Sequence, residues 1–427
     1  MNELDLVDLL RRHALSHSVP GAAVGILREG VITTAYYGVT DVTTGEPVAA
    51  DTGFSVGSLT KTMVATVIAR LADEGRLSLD DAAAARVPEL RESVWARQVT
   101  LRDLLANRSG LPLSAALEFG FDRYEEYNDT VSRLVADIPA DVLRANFWSY
   151  TNVGWCVLGR VIETTMGISW EDAMRLHLGR AGMHDTFFGT DTVPKRRALG
   201  HEVTAEGPVP VAPLVARSYG PAGTNLVSPL PDLLRFAALH LEDPSLGTLR
   251  TRQEKISIRG WLESWCLGWA WYAWQGGPVW GWDSVVPGER SVLRILPGRQ
   301  AGLVLLTNSS TGRAMYRSLL AELMESLFGI SVPPLRLEPS PGAGRDLSRF
   351  TGVYAWPDRK VEVTAAASGL VIKDEDDEAA ALPLDERTFL VDAADPDNPT
   401  VTFGAFDPAG RPQVLYLMLW GLPRLEE

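Results

Sequence analysis

Apolar positions recur at helical spacing in the first part of the chain. Residues 4–16 follow the period of an amphipathic helix, and the apolar stretch 63–71 predicts a second helix that is buried. Residues 22–26 and 31–37 are apolar runs separated by Arg28-Glu29-Gly30, a pattern that predicts a hairpin with a glycine turn. The chain therefore begins with a mixture of helix and strand.

The same mixture continues to about residue 330. Residues 99–112 predict a capped helix stopped by Gly-Leu-Pro, and 157–163 and 316–328 predict two more helices. Residues 291–297 and 301–308 predict two strands about a glycine-arginine turn. Because strands occur early and late with helices between them, the fold class predicted is α+β, with an antiparallel sheet that takes strands from both ends of this region.

The last part of the chain has a different pattern. A segment rich in proline and glycine predicts a linker at 336–344. Residues 345–427 alternate short apolar strands with turns rich in Asp, Pro and Gly, which is typical of a small antiparallel barrel or sandwich. We therefore expect a larger domain at 1–335 and a small β domain at 345–427.

Composition and charge narrow the class of protein. The 427 residues are 46% apolar and 22% charged, with a formal net charge of −14, which argues against general disorder and against a nucleic-acid partner. Two cysteines exclude a disulfide framework. The acidic N-terminus does not resemble a secretory signal, and no apolar run is long enough for a membrane span. We expect a cytoplasmic protein with no membrane partner.

One short motif could carry chemistry at the start of the buried helix. Ser58 and Lys61 are three residues apart, so on a helix they face the same way. The unpaired N–H groups at a helix N-terminus favour a developing oxyanion, and a neighbouring amine can activate a serine hydroxyl. The structural alternative, in which Ser58 caps the helix and Lys61 is solvated, is favoured for this motif taken alone.

A second candidate lies in a predicted loop before the helix at 157–163. Tyr150 could work with Lys61 in moving the proton of Ser58, and Asn152 could hold Lys61 and contact a substrate carbonyl. The alternative for Tyr150 is a packed ring with its hydroxyl in water. For either motif taken alone, the structural alternative is favoured over a catalytic role.

Together these segments resemble one family. Ser58-x-x-Lys61, Tyr150-Thr151-Asn152, the stretch 104–112 and Gly220-Pro221-Ala222-Gly223 follow the order of motifs in the serine β-lactamase and penicillin-binding-protein superfamily. The pattern is most similar to class C β-lactamases, D-aminopeptidases and family VIII carboxylesterases, over about residues 5 to 330. The resemblance implies that Ser58 is the acylated nucleophile, Lys61 and Tyr150 its activating pair and Asn152 a substrate contact, with the backbone N–H of Ser58 in the oxyanion hole.

The third motif of the family departs from its usual form. Where relatives carry Lys-Thr-Gly or His-x-Gly, alignment on the following Pro-Gly puts Trp282 in the place of the cation and Ser284 in that of the glycine. Trp280 is the other possible register. In the first register the N–H of Val285 would be the second oxyanion donor. Because an indole carries no charge, we expect weaker binding of a substrate carboxylate than in penicillin-binding relatives.

The C-terminal β domain also has a counterpart. It resembles the lipocalin-like barrel attached to penicillin-binding-protein-type thioesterases, in which an arginine near the C-terminus holds the carboxylate of the acyl acceptor. Arg424 has that position in this chain. The alternative is a solvated arginine on the last barrel strand.

These observations predict a serine acyl-transfer enzyme that needs no cofactor or metal. Ser58 would take an acyl group from an ester, thioester or amide and pass it to an amine, as in amide formation or peptide release in secondary metabolism. Two alternatives stay open: an esterase or peptidase that uses water as acceptor, and a non-catalytic protein that binds a small molecule on the same fold. The acyl donor, the acceptor and the oligomeric state are not determined by the sequence.

Overall fold

The computed structural model describes residues 3–111, 130–141, 144, 147–192, 195–258, 262–333, 338–339, 346–375, 377–391 and 400–425. The predicted linker at 336–344 lies outside these residues apart from positions 338 and 339.

Helices and strands alternate through the described residues before 333. The helices are α1 Glu3–Ser16, α2 Thr60–Asp73, α3 Ala83–Arg86, α4 Val94–Gln98, α5 Leu101–Leu105, α6 Val131–Ala136, α7 Asn152–Met166, α8 Trp170–Arg180, α9 Leu230–Glu242 and α10 Gly312–Phe328. The strands are β1 Gly21–Arg28, β2 Val31–Gly38, β3 Gly53–Ser55, β4 Phe187–Phe188, β5 His201–Thr204, β6 Gly207–Pro210, β7 Leu226–Pro229, β8 Glu254–Ile258, β9 Leu262–Trp265, β10 Ala270–Tyr272, β11 Val279–Val286, β12 Glu289–Leu296 and β13 Ala301–Thr307.

A large antiparallel sheet organises this region. Its described strands follow the order β2-β1-β13-β12-β11-β10-β9-β8. The N-terminal hairpin joins the late strands through β1 and β13, where Val24 lies opposite Leu305. The predicted antiparallel sheet with strands from both ends of this region is therefore confirmed. A two-stranded hairpin alone is only marginally stable, and its pairing with β13 makes it part of a larger sheet.

A smaller sheet leads the chain into α2. β3 pairs with β7, and β7 pairs with β4. After β3, residues Gly57–Leu59 form a short 3₁₀ turn that runs directly into α2, whose residues are almost all buried. Ser58 thus lies in the turn before the helix rather than in the helix's first turn, because Gly57 takes a left-handed φ of 47° there.

Helix α7 begins close to this turn. Its N-cap is Thr151, whose hydroxyl accepts the backbone N–H of Gly154 at 3.2 Å, and the helix ends at Gly167 with a φ of 71°. Asn152 is therefore the first helical residue, whereas the sequence pattern predicted a loop position. Tyr150 lies on the segment before the cap, as predicted.

Helix α5 is shorter than the helix that the sequence predicted within residues 99–112. Thr100 and Asp103 form a capping box at the start of α5, and the helix ends at Leu105. The early end follows from Asn107, which adopts a left-handed φ of 54°.

The described residues after 346 form a nearly closed antiparallel barrel, as the sequence predicted. Its strands, paired in chain order, are β14 Gly352–Trp356, β15 Arg359–Ala366, β16 Gly369–Asp374, β17 Asp377–Pro383, β18 Thr388–Leu390, β19 Thr400–Phe406, β20 Pro412–Leu417 and β21 Trp420–Pro423. A bridge between Tyr354 and Arg424 brings the last strand back to the first. Aromatic side chains fill the interior, among them Phe350, Phe389 and Phe403.

The barrel contacts the larger region through the β20–β21 hairpin and through Arg387, whose guanidinium donates to the carbonyl of Ile256 at 2.6 Å. Val414, Tyr416 and Leu419 belong to the same apolar core as the residues of the large sheet. The carbonyl of Leu419, in the turn between β20 and β21, accepts the backbone N–H of Tyr150 at 3.0 Å. Within the ranges described above, no helix combines the length and apolar character that a membrane span requires.

Candidate active site

The Ser58 hydroxyl meets both partners that the sequence predicted for it. Its oxygen lies 3.0 Å from the phenolic oxygen of Tyr150 and 3.2 Å from Nζ of Lys61. Both distances allow hydrogen bonds. The arrangement brings a serine hydroxyl, an ammonium and a phenol to one point, which is a geometry suited to activating the serine.

Lys61 is held without contact with solvent. Its side chain is on α2 and is 0% exposed, and its ammonium donates to Ser58 Oγ, to Oδ1 of Asn152 at 3.1 Å and to the carbonyl of Ala222. These three bonds use all three hydrogens of an ammonium group. The structural alternative of a solvated Lys61 is therefore wrong.

The Ala222 carbonyl reaches Lys61 because the next residue is a glycine. Gly223 has a φ of 123°, and a Cβ at this position would lie 2.3 Å from the carbonyl oxygen of Gly57 and 2.8 Å from the nitrogen of Ser58. Only glycine permits this approach of the two loops. The Gly220-Pro221-Ala222-Gly223 segment thus forms one wall beside the nucleophile.

Tyr150 is fixed by aromatic neighbours. Its ring lies 5.5 Å from that of Trp282 and meets Trp265 and Trp420 edge-on at 6.0 and 5.9 Å. The indole N–H of Trp282 donates to the phenolic oxygen at 3.3 Å. The Lys61 ammonium lies 4.8 Å from the centre of the Tyr150 ring, a cation–π distance.

The contacts of β11 distinguish its two tryptophans. Trp282 touches Tyr150 and lines the cavity that contains Ser58. Trp280 instead donates its indole N–H to the carbonyl of Arg250 at 3.0 Å and is not among the lining residues. The geometry supports the register in which Trp282 takes the place of the family's cation.

Behind Trp282, β11 carries a buried ion pair. Asp283 pairs with Arg294 of β12 and accepts a hydrogen bond from the Tyr316 hydroxyl at 2.9 Å. Burial would raise the pKa of Asp283, but Arg294 and Arg317 outweigh it and hold the pKa below its usual value. The carboxylate is therefore retained as an ion that anchors β11 to its neighbours.

A second buried carboxylate anchors β3, the strand that precedes the Gly57–Leu59 turn. Glu289 accepts the backbone N–H of Ser55 at 2.8 Å and its hydroxyl at 2.6 Å. Burial raises the pKa of Glu289, while Arg197 and these hydrogen bonds oppose that rise. Glu289 thus ties β12 to the strand that ends three residues before Ser58.

Ser284 and Val285 lie beside Ser58, in different ways. The hydroxyl of Ser284 accepts the backbone N–H of Ser58 at 3.0 Å, a contact that the sequence did not predict. Val285 is 52% exposed and lines the cavity. In the structure, the Ser58 N–H assigned to the oxyanion hole therefore already has an acceptor.

Ser58 opens into a cavity of about 540 Å³, a size suited to a small-molecule ligand. The lining residues combine the predicted site with loop and barrel side chains: Ser58, Tyr150, Asn152, Glu202, Leu214, Ala222, Gly223, Thr224, Trp282, Asp283, Val285, Val286, Pro287, Arg290, Arg313, Met418, Leu419 and Trp420.

Two features of this lining were missed from the sequence. Arg290 and Arg313 bring positive charge to the cavity, and Glu202 and Asp283 bring negative charge to the same lining. Met418, Leu419 and Trp420 bring the turn of a barrel hairpin to the same space. The aromatic run near the C-terminus was a signal for a strand, but its position beside Tyr150 depends on how the barrel docks.

The expectation for Arg424 is not met. Its guanidinium donates to the Tyr354 hydroxyl at 3.0 Å and to the carbonyl of Thr351, and Arg424 is not among the residues that line the cavity. Its backbone pairs with Tyr354 where the barrel closes, which directs the side chain to the barrel's own first strand. Arg424 therefore stabilises the barrel closure.

Comparisons with known proteins agree with this geometry. The Beta-lactamase family model matches residues 6–324. Penicillin-binding protein 4 of Amycolatopsis lactamdurans is 31% identical over 362 residues, which cover 79% of this chain and 93% of that protein.

Solved structures are similar over different lengths. The crystal structure of SurE is similar over 99% of both chains, with 27% identity and a TM-score of 0.83, and the structure of SurE with D-Leu gives 26% identity and 0.81 over the same share. A class C beta lactamase from Rhodobacter sphaeroides shares the fold over 74% of this chain and 98% of its own, at 22% identity and a TM-score of 0.60. The family match, the long relative and the assembled Ser58 site lead to one conclusion: this chain belongs to the beta-lactamase family, within the superfamily of serine β-lactamases and penicillin-binding-protein-like enzymes.

Proposed function

We propose that this protein is a serine acyltransferase that forms an acyl-enzyme at Ser58 and passes the acyl group to an amine. The observation that carries the proposal is the contact of the Ser58 oxygen with both Tyr150 and Lys61. In this proposal residues 1–335 form the catalytic domain and 345–427 a barrel that helps to enclose the substrate. The donor is an ester, a thioester or an amide.

The hydrogen bonds suggest how the proton moves. The Tyr150 oxygen lies 3.0 Å from the Ser58 oxygen and Lys61 donates to Ser58, so in this proposal Tyr150 relays the proton, accepting that of Ser58 while its own proton moves on. The Ser58 oxygen bonds to the acyl carbon, the bond to the leaving group breaks, and the proton passes from Tyr150 to the leaving group. In the second half, the amine nitrogen bonds to the acyl carbon, the bond to Ser58 breaks, and a proton from the amine returns through Tyr150 to Ser58.

Two observations favour an amine over water as acceptor. Much of the cavity wall is apolar, with the barrel hairpin at Leu419 and Trp420 beside Tyr150, and an apolar wall offers few hydrogen-bond partners to an attacking water. The similar structure of SurE was determined with D-Leu, a molecule that carries an amine.

The hydrolytic alternative uses the same acyl-enzyme and differs only in its acceptor. The other alternative, a non-catalytic binding protein, is favoured by one contact, the Ser284 hydroxyl on the N–H of Ser58. Ser58, Lys61 and Tyr150 nevertheless lie within hydrogen-bond distance, an arrangement that a simple binding pocket does not need.

The test is a product analysis with a simple activated donor. The wild-type protein is incubated with an N-acetylcysteamine thioester, with and without D-leucine, and the acid and amide products are quantified by mass spectrometry. We expect an amide whose yield rises with the amine concentration and is lost in Ser58→Ala. Acid as the sole product at every amine concentration would identify a hydrolase instead.

A further inference from the structure

The backbone N–H of Ser58 is occupied in a way that bears on acyl transfer. A catalytic oxyanion lies 2.7–3.1 Å from its N–H donors. In this structure the oxygen found 3.0 Å from the Ser58 nitrogen is the hydroxyl of Ser284. The Ser58 N–H that would bind the substrate's acyl oxygen is therefore already hydrogen-bonded to the Ser284 hydroxyl.

The packing around Ser284 indicates that this contact is built into the fold. Ser284 is 1% exposed and lies on the same face of β11 as Trp282, two residues earlier. A Cβ on Gly57 would come within 2.0 Å of the Ser284 oxygen. The turn before Ser58 thus leaves room for a hydroxyl at position 284, and a glycine at 57 provides that room.

We infer that Ser284 closes the oxyanion hole of the resting enzyme and that its hydroxyl must rotate away before an acyl donor can react with Ser58. The inference rests on the proposed function, because it concerns the acylation of Ser58. A serine side chain has three staggered rotamers about one bond, so the movement is a rotation about that bond. Rotation exchanges one hydrogen bond at the Ser58 N–H for another, made to the acyl oxygen.

This gate selects among acyl donors. A donor whose acyl chain fills the cavity gains binding energy away from the reacting carbon, and that energy can offset the displacement of the Ser284 hydroxyl. A small ester lacks those contacts and has to displace the hydroxyl unaided. The gate therefore favours donors with long or bulky acyl groups over acetyl esters.

The test removes the hydroxyl and measures acylation directly. Ser284→Ala and Ser284→Gly are compared with the wild type by the burst of p-nitrophenolate from p-nitrophenyl acetate and by intact mass. From the net worth of one hydrogen bond we expect both variants to acylate about three- to tenfold faster than the wild type. The gain should be smaller with p-nitrophenyl octanoate, whose chain fills the cavity.

Ser291→Ala is the matched control. Ser291 lies opposite Ser284 on β12 and is equally buried, but its hydroxyl donates to the carbonyl of Ser55 at 3.1 Å. We expect its acylation rate to stay within about twofold of the wild type, as for a change that touches no reacting group. If the glycine variant does not fold, the alanine variant alone decides the comparison.

The outcomes separate this inference from the proposed function. Rates in the two Ser284 variants that equal or fall below the wild-type rate overturn the gate while leaving a Ser58 acyl-enzyme intact. An adduct that forms at Ser58 in the variants and not in the wild type supports the gate. A lack of adduct in all the proteins contradicts both the gate and the proposed function.

Discussion

The indole nitrogen of Trp282 lies 3.3 Å from the phenolic oxygen of Tyr150. That oxygen in turn lies 3.0 Å from the Ser58 hydroxyl. In the register that we propose, Trp282 takes the place of the family's cation, and its indole gives the tyrosine a hydrogen-bond donor without a charge.

Trp282→Phe tests this role. Phenylalanine keeps an aromatic ring beside Tyr150 and removes the N–H, so we expect kcat for ester turnover to fall about three- to tenfold, as for the loss of one hydrogen bond, with a smaller change in KM. Trp280→Phe is the control, because its indole donates to Arg250 outside the cavity. Equal losses in the two variants would contradict the role of Trp282.

Tyr150→Phe removes the hydroxyl that we propose receives the Ser58 proton. We expect the acylation rate to fall by about 10²- to 10⁴-fold, the usual worth of a positioned acid or base, with little change in the folded structure. Tyr272→Phe is a suitable control, since the Tyr272 hydroxyl is buried and has no hydrogen-bond partner among the described residues. Stopped-flow acylation with an activated ester measures both, and near wild-type rates in Tyr150→Phe would remove Tyr150 from the mechanism.

The barrel hairpin should influence both substrate binding and the choice of acceptor. Trp420 meets the Tyr150 ring edge-on and lines the cavity. Trp420→Ala should raise KM for a bulky donor about tenfold, because it removes an apolar wall, and should increase the share of acid over amide by admitting water.

A barrel variant away from the cavity provides the comparison for Trp420. Phe406 is an exposed aromatic residue of β19, and Phe406→Ala should leave both the KM and the product ratio unchanged. Unaltered KM and product ratio in Trp420→Ala would show that the hairpin has no part in the site.

His240 predicts a pH dependence of stability. Burial, with a smaller effect from Arg250 and Arg70, lowers the pKa of His240 to about 3. The pKa of a histidine in an unfolded chain is about 6.5. Between these two pKa values His240 is protonated in the unfolded chain and neutral in the folded chain. The free energy of unfolding therefore falls as pH drops from about 6.5 towards 3. Between pH 7 and 5 the loss from this one group should be about 2 kcal/mol.

Urea unfolding of the wild type and His240→Gln at the two pH values measures the effect. Glutamine keeps a polar group near Thr66, whose hydroxyl lies 2.9 Å from Nε2 of His240, and it does not titrate. We expect the difference in free energy of unfolding between pH 7 and 5 to be smaller in the variant by that amount. An equal difference between the two pH values in both proteins would show that His240 is not responsible for the pH dependence of stability.

Ser58, Lys61 and Tyr150 were predictable from the sequence because the patterns that mark them are local. Ser58 and Lys61 are one turn apart, and Tyr150 precedes a helix with a clear apolar period, so the spacing and resemblance placed them together. The hairpin at 22–26 and 31–37 was equally clear, since a glycine turn between two apolar runs has few alternatives.

The remaining features depend on contacts between distant segments. The Ser284 hydroxyl reaches Ser58 only because β11 lies beside the Gly57–Leu59 turn. No local sequence pattern predicts that these two segments are in contact. The prediction for Arg424 used its position near the C-terminus alone. Position does not determine the direction of a barrel side chain, and the barrel closure at Tyr354 turned Arg424 away from the cavity.

The most direct test of the account is the site of covalent labelling. The wild type and Ser58→Ala are treated with a fluorophosphonate, and intact mass with peptide mapping locates the adduct. If Ser58 is the nucleophile, we expect one adduct on the peptide that contains Ser58 in the wild type, and none in the variant. An adduct that persists in Ser58→Ala, or a wild-type protein that stays unmodified, would contradict Ser58 as the nucleophile.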